Sequence, residues 1–285
     1  MGKIAFVFAG QGAQFPGMGK DIYNKHDCVK EIFDRAGEDI KSLCFNGPTA
    51  DLNRTVNTQP CLFTMDIACA ALLNKKGIMP DGLAGFSLGE IPAAVFAGIL
   101  NFEKGFEFVK FRAAVMDECA EKNKGAMYAV LKLKAEEVEK VCGAVEDVFP
   151  VNYNCPGQTV VAVSEKSAPE FERKIAEQVG KPVKLAVSGA FHSPFMNDAA
   201  EKIHGYLKDL KSPSIPLYSN FTGERYGDPK ELLSKQVKSP VLWQKTIENM
   251  IRDGFDTFVE VGAGRTLSGL IKRIDSTVKI MEEIC

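Results

Sequence analysis

The chain opens on an unbroken apolar run, Ile4-Ala5-Phe6-Val7-Phe8, closed by Ala9-Gly10-Gln11-Gly12. A short continuous run bounded by turn residues predicts a strand buried on both faces. Helical spacing follows over 29–36 and again over 60–73, where Cys61, Met65, Ala68 and Leu72 share one face. Gly77 and Pro80 close that helix, and 82–86 is a second short strand. It runs through Gly85-Phe86-Ser87-Leu88-Gly89 into Glu90-Ile91-Pro92-Ala93-Ala94, the small-residue start of another helix. Residues 102–119 alternate apolar and charged positions at helical spacing. Strand, helices, strand, helix, helix is the order of an α/β domain with a mainly parallel sheet.

Over 126–186 the pattern changes. Strands are predicted at 127–131, 148–153, 159–163 and 183–187, with helices at 135–145 and 168–179 and a turn at Asn154-Cys155-Pro156-Gly157. This βαββαβ order is the split-βαβ, ferredoxin-like pattern. Helices return at 198–208, 229–237 and 241–253, then a strand at 257–261, the turn Val261-Gly262-Ala263-Gly264 and a last helix at 266–273. The expected architecture is a large α/β-hydrolase-like domain with a parallel-sheet core, made from 1–124 and 190–285. A small ferredoxin-like α+β subdomain is inserted at 125–189.

Composition narrows the function classes. At 285 residues, 45% apolar and 25% charged, the chain has the make-up of a globular enzyme. Its net charge of −2 and lack of a basic run argue against nucleic-acid binding. The eight cysteines (Cys28, Cys44, Cys61, Cys69, Cys119, Cys142, Cys155, Cys285) form no C-x-x-C pair. Neither a zinc site nor a disulfide framework is expected, and a reducing cytoplasm is. The apolar N-terminal run is too short for a signal sequence, Met1-Gly2 lacks a myristoylation context, and no window is expected to span a membrane.

The elbow at Ser87 carries the first chemical signal. A serine on a sharp strand-to-helix turn needs neighbours without Cβ atoms, so that strand and helix pack closely on either side. The helix N-terminus then favours an anion beside the hydroxyl. A serine needs a base, and histidine is the usual one near neutral pH. Of three histidines, His26 sits in a charged stretch and His204 inside a surface helix, whereas His192 lies in the loop 188–194 leaving the inserted unit. Such junction loops often carry catalytic side chains. No aspartate stands out as a third partner, so an amide or a backbone carbonyl is left to orient the histidine. Gln11, on the turn after the first strand, opens at the same sheet edge as Ser87, so the N–H groups of Gln11 and Leu88 could form an oxyanion pair. The Gly10-Gln11-Gly12 and Met18-Gly19-Lys20-Asp21 turns match neither nucleotide fingerprint in full. Arg112, flanked by Phe108, Val109, Phe111, Val115 and Met116, has two accounts. One is a snorkelling cation or a pair with Glu107; the other is a guanidinium fork holding a carboxylate in a cleft.

Seven motifs occur in one order: Gly10-Gln11-Gly12-Ala13-Gln14, Thr58-Gln59-Pro60, Gly85-Phe86-Ser87-Leu88-Gly89-Glu90, Arg112 with Met116, Asn152-Tyr153-Asn154 before Pro156-Gly157-Gln158, Phe191-His192-Ser193, and Glu260-Val261-Gly262 with Gly264. Together they resemble the acyltransferase family of fatty acid and polyketide synthesis, in its malonyl-CoA:acyl carrier protein transacylase branch, over essentially the whole chain. The resemblance implies Ser87 as nucleophile, His192 as base, and Gln11 and Leu88 as oxyanion donors. It further implies Arg112 as clamp for the malonyl carboxylate, Phe191, Met116 and Asn152 as substrate-binding residues, and Gln236 as the residue orienting the histidine. It implies ping-pong transfer of malonyl from malonyl-CoA to acyl carrier protein with release of coenzyme A, no cofactor, and a monomer. An acidic carrier protein would also want a basic rim, for which Lys110, Lys181 and Lys184 are candidates. The chain departs from the family pattern at Phe86, where histidine is usual, at Ala263 in place of a frequent proline, and at Cys155 in place of a common serine. An α/β serine hydrolase, a catalytically idle carrier-binding homologue and a polyketide-serving acyltransferase remain as competing readings.

Overall fold

In a computed structural model of the chain, which describes residues 2–281, the N-terminal apolar run forms β1 (Lys3–Phe8). Five helices follow: α1 (Lys20–Lys25), α2 (Asp27–Ala36), α3 (Glu38–Asn46), α4 (Thr49–Leu52) and α5 (Thr55–Lys75). Then come β2 (Gly82–Gly85), a single 3-10 turn at Ser87–Gly89, α6 (Glu90–Phe96) and α7 (Phe102–Lys122). Asn101 caps α7 by accepting from the Lys104 N–H at 2.9 Å. The next stretch folds as β3 (Gly125–Leu131), α8 (Ala135–Gly143), β4 (Val148–Cys155), β5 (Gln158–Ser164), α9 (Ala168–Glu177) and β6 (Lys181–Lys184). The last described elements are α10 (Asn197–Tyr206), β7 (Leu217–Tyr218), α11 (Pro229–Gln236), α12 (Trp243–Arg252), β8 (Phe255–Val261), α13 (Thr266–Ile274) and β9 (Lys279–Met281). Cys285 lies outside the described residues.

Two sheets organise these elements. The first has the order β7-β2-β1-β8-β9, and every pairing in it is parallel. Alternation along β1 divides its side chains between two layers. Phe6 and Phe8 join the core of α2, α5 and α7, while Ala5 and Val7 join Trp243, Ile247, Leu270 and Ile271 of α12 and α13. The second sheet has the order β4-β5-β3-β6 and is antiparallel throughout. One of its faces buries Tyr128, Val130, Val161 and Val163 against Phe171 and Ile175 of α9; the other presents Met127, Ala129, Val160 and Ala162 to the main core.

Several expectations shift. The helix expected from Pro60 begins at Thr55, and Pro60 lies inside it, forfeiting only the bond to the carbonyl four residues back. The strand expected at 183–187 is found at Lys181–Lys184. Pairing with β3 stops at Tyr128↔Lys184, and after the Leu185 N–H donates to the Met127 carbonyl the chain leaves the sheet. Its apolar alternation continues because Leu185 and Val187 line a cleft. The expected turn at 154–157 is shorter, since β4 runs through Cys155. The expectation that no window could span a membrane needs correcting: α5 is long and apolar enough by length and composition, with a mean hydropathy of 1.2. Yet 83% of that window is buried inside the protein, so its apolar character serves the core.

Candidate active site

At the C-terminal edge of the parallel sheet the chain is packed without room for a methyl group. A Cβ on Gly85 would sit 2.1 Å from the Gly89 carbonyl carbon, and one on Gly89 2.2 Å from the Phe8 carbonyl oxygen. That crowding brings β2, the following 3-10 turn and β1 together and sets Ser87 at φ 52°, in the left-handed region. A non-glycine residue there stores about 1–3 kcal/mol, held by its surroundings. Asn220, just after β7, does the holding: its Oδ1 accepts from the Ser87 N–H at 2.6 Å and its Nδ2 donates to the Gly85 carbonyl at 2.5 Å.

His192 reaches the same point from the loop after β6, also with positive φ (60°), and its N–H donates to the Val237 carbonyl at 2.9 Å. Its Nε2 lies 2.7 Å from Ser87 Oγ and its Nδ1 2.9 Å from the Gln236 backbone carbonyl. A carbonyl only accepts, so Nδ1 carries the proton and Nε2 is left to accept from the serine hydroxyl. Burial, aided by the nearby Arg112 charge, pushes the imidazole down to about 4, which keeps it neutral at physiological pH with Nε2 unprotonated.

The two accounts of Arg112 separate here. It is 1% exposed, and Glu107 pairs with Lys110 instead, at 2.7 Å. Arg112 donates from Nη1 to Gln59 Oε1 at 2.5 Å and from Nη2 to Gln236 Oε1 at 2.8 Å. Its Nε has no hydrogen-bond partner. The Gln236 Nε2 donates in turn to the Ser87 carbonyl at 2.8 Å and to Glu90 Oε2 at 2.6 Å. One glutamine thus touches the histidine through its backbone and the arginine through its side chain.

Ser87, His192 and Arg112 line a cleft of about 990 Å³, including its open mouth, between the two sheets. Gln11, Ser87, Arg112, Met116, Asn152, Phe191 and His192 all border it. Leu88 does not: its side chain is in the core, and only its backbone belongs to the elbow. Asn152 and Asn154 stand on the antiparallel-sheet side, each with a buried Oδ1 lacking a partner. Phe86, where the chain departs from the family's usual histidine, packs edge-on against Trp243 with ring centroids 5.4 Å apart. The other histidines stay away: His26 precedes α2, and His204 faces Glu231 at 3.7 Å near the surface. Lys181 and Lys184 are exposed on β6. Among the described residues no three His, Cys, Asp or Glu side chains gather as a metal site.

Residues 5–282 match the model of the acyl transferase domain. The chain belongs to that family. A malonyl CoA-acyl carrier protein transacylase of Bacillus subtilis is 39% identical to this acyl transferase, with 98% of the chain and 92% of the relative aligned. The protein of that name from Haemophilus influenzae is 36% identical over 96% and 93%. Among solved structures, the transacylase of Clostridium perfringens superposes with a TM-score of 0.94 at 38% identity, covering 98% of this chain and 92% of that one. A malonyl-transacylase solved in complex with a holo type II polyketide synthase acyl-carrier protein also gives 0.94, at 32% identity over 98% and 94%.

Four residues around the site escaped the sequence reading: Gln59, Glu90, Asn220 and Tyr226. Gln59 and Glu90 lie inside the Thr58-Gln59-Pro60 and elbow motifs, but nothing local marks their side chains as buried partners of Arg112 and Gln236. Asn220 and Tyr226 carried no local signal, being more than 130 residues from the elbow groups they bind.

Proposed function

We propose that the chain is a malonyl-CoA:acyl carrier protein transacylase, moving malonyl from coenzyme A to the phosphopantetheine thiol of acyl carrier protein for fatty acid chain elongation. The observation that carries this reading is the 2.7 Å contact between Ser87 Oγ and an unprotonated His192 Nε2, in one cleft with a buried guanidinium. Ser87 Oγ attacks the thioester carbonyl while His192 Nε2 takes its proton. The backbone N–H groups of Gln11 and Leu88 receive the oxyanion. As that intermediate collapses, His192 returns the proton to the departing thiolate, coenzyme A leaves, and malonyl remains on Ser87. The carrier thiol then repeats the sequence in reverse, with His192 first as its base.

Arg112 holds the free malonyl carboxylate, exchanging its amide partners Gln59 and Gln236 for a charged one. Arginine suits this because its planar fork binds a carboxylate through two parallel bonds. Phe191 and Met116 shape the cleft around the malonyl methylene, Asn152 meets the donor's amide-bearing arm, and Gln236 orients His192. This chemistry needs no resident cofactor, and the protein works as a cytoplasmic monomer. The boundaries 1–124 with 190–285 and 125–189 define the α/β-hydrolase-like catalytic domain and its ferredoxin-like insert. The elbow supports the first description; the βαββαβ connectivity and the order β4-β5-β3-β6 support the second.

Incubation with malonyl-CoA should add one malonyl mass to the chain, and Ser87→Ala should remove it. A malonyl adduct surviving in that variant would refute the assignment. Rates measured side by side with fatty acid and polyketide carrier proteins distinguish the two pathways, and a preference for the polyketide carrier would overturn the proposed one.

A further inference from the structure

Beneath the Ser87–His192 pair lies a closed group of buried polar side chains that the transfer steps leave unexplained. Glu90, the first residue of α6, has no exposed surface. One of its carboxylate oxygens accepts from the Tyr226 hydroxyl. The other accepts from Gln236 Nε2 at 2.6 Å and from the Asn220 N–H at 3.3 Å. Gln236 passes the contact on through Oε1, which accepts from Arg112 Nη2 at 2.8 Å. A fully buried carboxylate and a fully buried guanidinium therefore face each other across a single amide.

Charge makes this arrangement consequential. A guanidinium keeps its proton near neutral pH, and burying it without an anion nearby is costly. Glu90 is the anion at hand. A malonyl carboxylate on Arg112 brings a second one to the same buried group, and two carboxylates sharing a low-dielectric site do not both stay ionised. We propose that Glu90 sets malonyl selectivity through Arg112 by exchanging charge with the substrate: when the malonyl carboxylate pairs with Arg112, Glu90 takes one proton from solvent and becomes neutral. This rests on the reading of Arg112 as the malonyl clamp. One proton enters for each malonyl that meets an ionised Glu90, and no other bond is made or broken.

The surroundings of Glu90 suit both of its states. The Tyr226 hydroxyl donates to the carboxylate and can rotate to accept from the carboxylic acid, so the Gln236 contact persists either way. Burial pushes the Glu90 carboxyl up to about 7, against the opposing pull of Tyr226, Gln236, Asn220 and Arg112, so the exchange falls near neutral pH. The titratable groups facing it are Tyr226 and Arg112; Asn220 and Gln236 are neutral. His192 lies on the far side of Gln236, on its backbone carbonyl. An acetyl donor brings no second anion and should leave Glu90 unchanged.

Titration calorimetry of the Ser87→Ala protein with malonyl-CoA and acetyl-CoA, in two buffers of different ionisation enthalpy, measures the proton directly. With malonyl-CoA, uptake should climb from about 0.1 proton at pH 6 toward about one at pH 8, the linkage expected when a group near 7 is driven higher. Acetyl-CoA, carrying the same coenzyme, should show none of this increment. Adding Glu90→Gln, whose amide can still accept from Gln236 and donate to Tyr226, should abolish it. In the unmodified enzyme, KM for malonyl-CoA should rise about tenfold per pH unit above pH 7 and stay flat for acetyl-CoA. That donor difference needs no variant and decides the matter even if Glu90→Gln does not fold. Equal uptake with and without Glu90 would overturn the proposal and move the proton to another group, His192 first. No uptake from an enzyme that is malonylated on Ser87 would overturn it too, leaving the transacylase reading intact. Failure of Ser87 to accept malonyl would instead refute that reading.

Discussion

The two walls of the cleft are built on opposite terms. On the parallel-sheet side Ser87 and His192 are pinned: Asn220 grips both sides of the elbow, and the Gln236 and Val237 carbonyls hold His192. On the antiparallel-sheet side Met127, Val160, Leu185 and Val187 give an apolar surface, in which Asn152 and Asn154 keep unpartnered Oδ1 atoms. The wall that carries Ser87 and His192 holds the backbone strain and saturates the hydrogen bonds that bear it. The opposite wall leaves polar groups open, at about 1–3 kcal/mol each. Hydrogen bonds are concentrated around Ser87 and His192, and unfilled hydrogen-bonding capacity on the wall facing them.

Substitutions on the two walls should therefore differ in kind as well as size. The largest effect is expected from His192→Ala, which should slow acylation of Ser87 by about 10²–10⁴-fold. His204→Ala should change little, and equal losses would misplace the base. The same imidazole predicts a pH limb. Because burial lowers it to about 4, the acylation rate should hold as pH falls through 6.5 and drop only near 4. The sign for stability agrees: between those values the unfolded chain binds the extra proton, so stability declines as pH falls toward 4. Single-turnover rates and urea midpoints across that range check both.

Arg112→Ala comes next. Losing one partner of a desolvated charge pair should cost malonyl transfer about 2–5 kcal/mol, roughly 30- to 5,000-fold in kcat/KM. Acetyl transfer should hold or improve, narrowing the donor preference. Equal losses for the two donors would make Arg112 structural. Asn220→Ala sharpens the contrast between the walls, since it strands the Ser87 N–H and should lower stability by about 1–3 kcal/mol. If thermal melting is unmoved while acylation falls, the strain at Ser87 is held by something else. On the opposite wall, Asn154→Leu removes an orphan acceptor, so stability should be unchanged or up by about 1 kcal/mol, while KM for malonyl-CoA rises. A destabilised protein with normal KM would show that Asn154 serves the fold.

Much of this could be read in the residue order. The glycines at 85 and 89, the apolar β1 and the βαββαβ stretch each carry a local signature, and each formed within a few residues of where it was expected. The misses have physical causes. Helices α1, α3 and α4 are short and bury few side chains, so their apolar spacing is weak. β7 and β9 have two and three residues, too few to show a period. Leu185 and Val187 looked like strand because lining a cleft imposes the same alternation as lining a sheet.

The sequence by itself determined that a serine sits on a glycine-flanked elbow, that a histidine leaves the second sheet on a loop, and that an arginine lies on an apolar helix. Each of these follows from sterics and spacing within a few neighbours. Only the tertiary structure decided what those side chains meet. Ser87 and His192 are 105 residues apart, Arg112 and Gln236 124, and Tyr226 and Glu90 136. Contacts at such separations depend on how helices and two sheets seat against one another, and a hydrogen bond forms or fails within about half an ångström. Local pattern carries no information at that distance. Packing of the whole core therefore chose Gln236 to hold both histidine and arginine, and Glu90 to lie behind them.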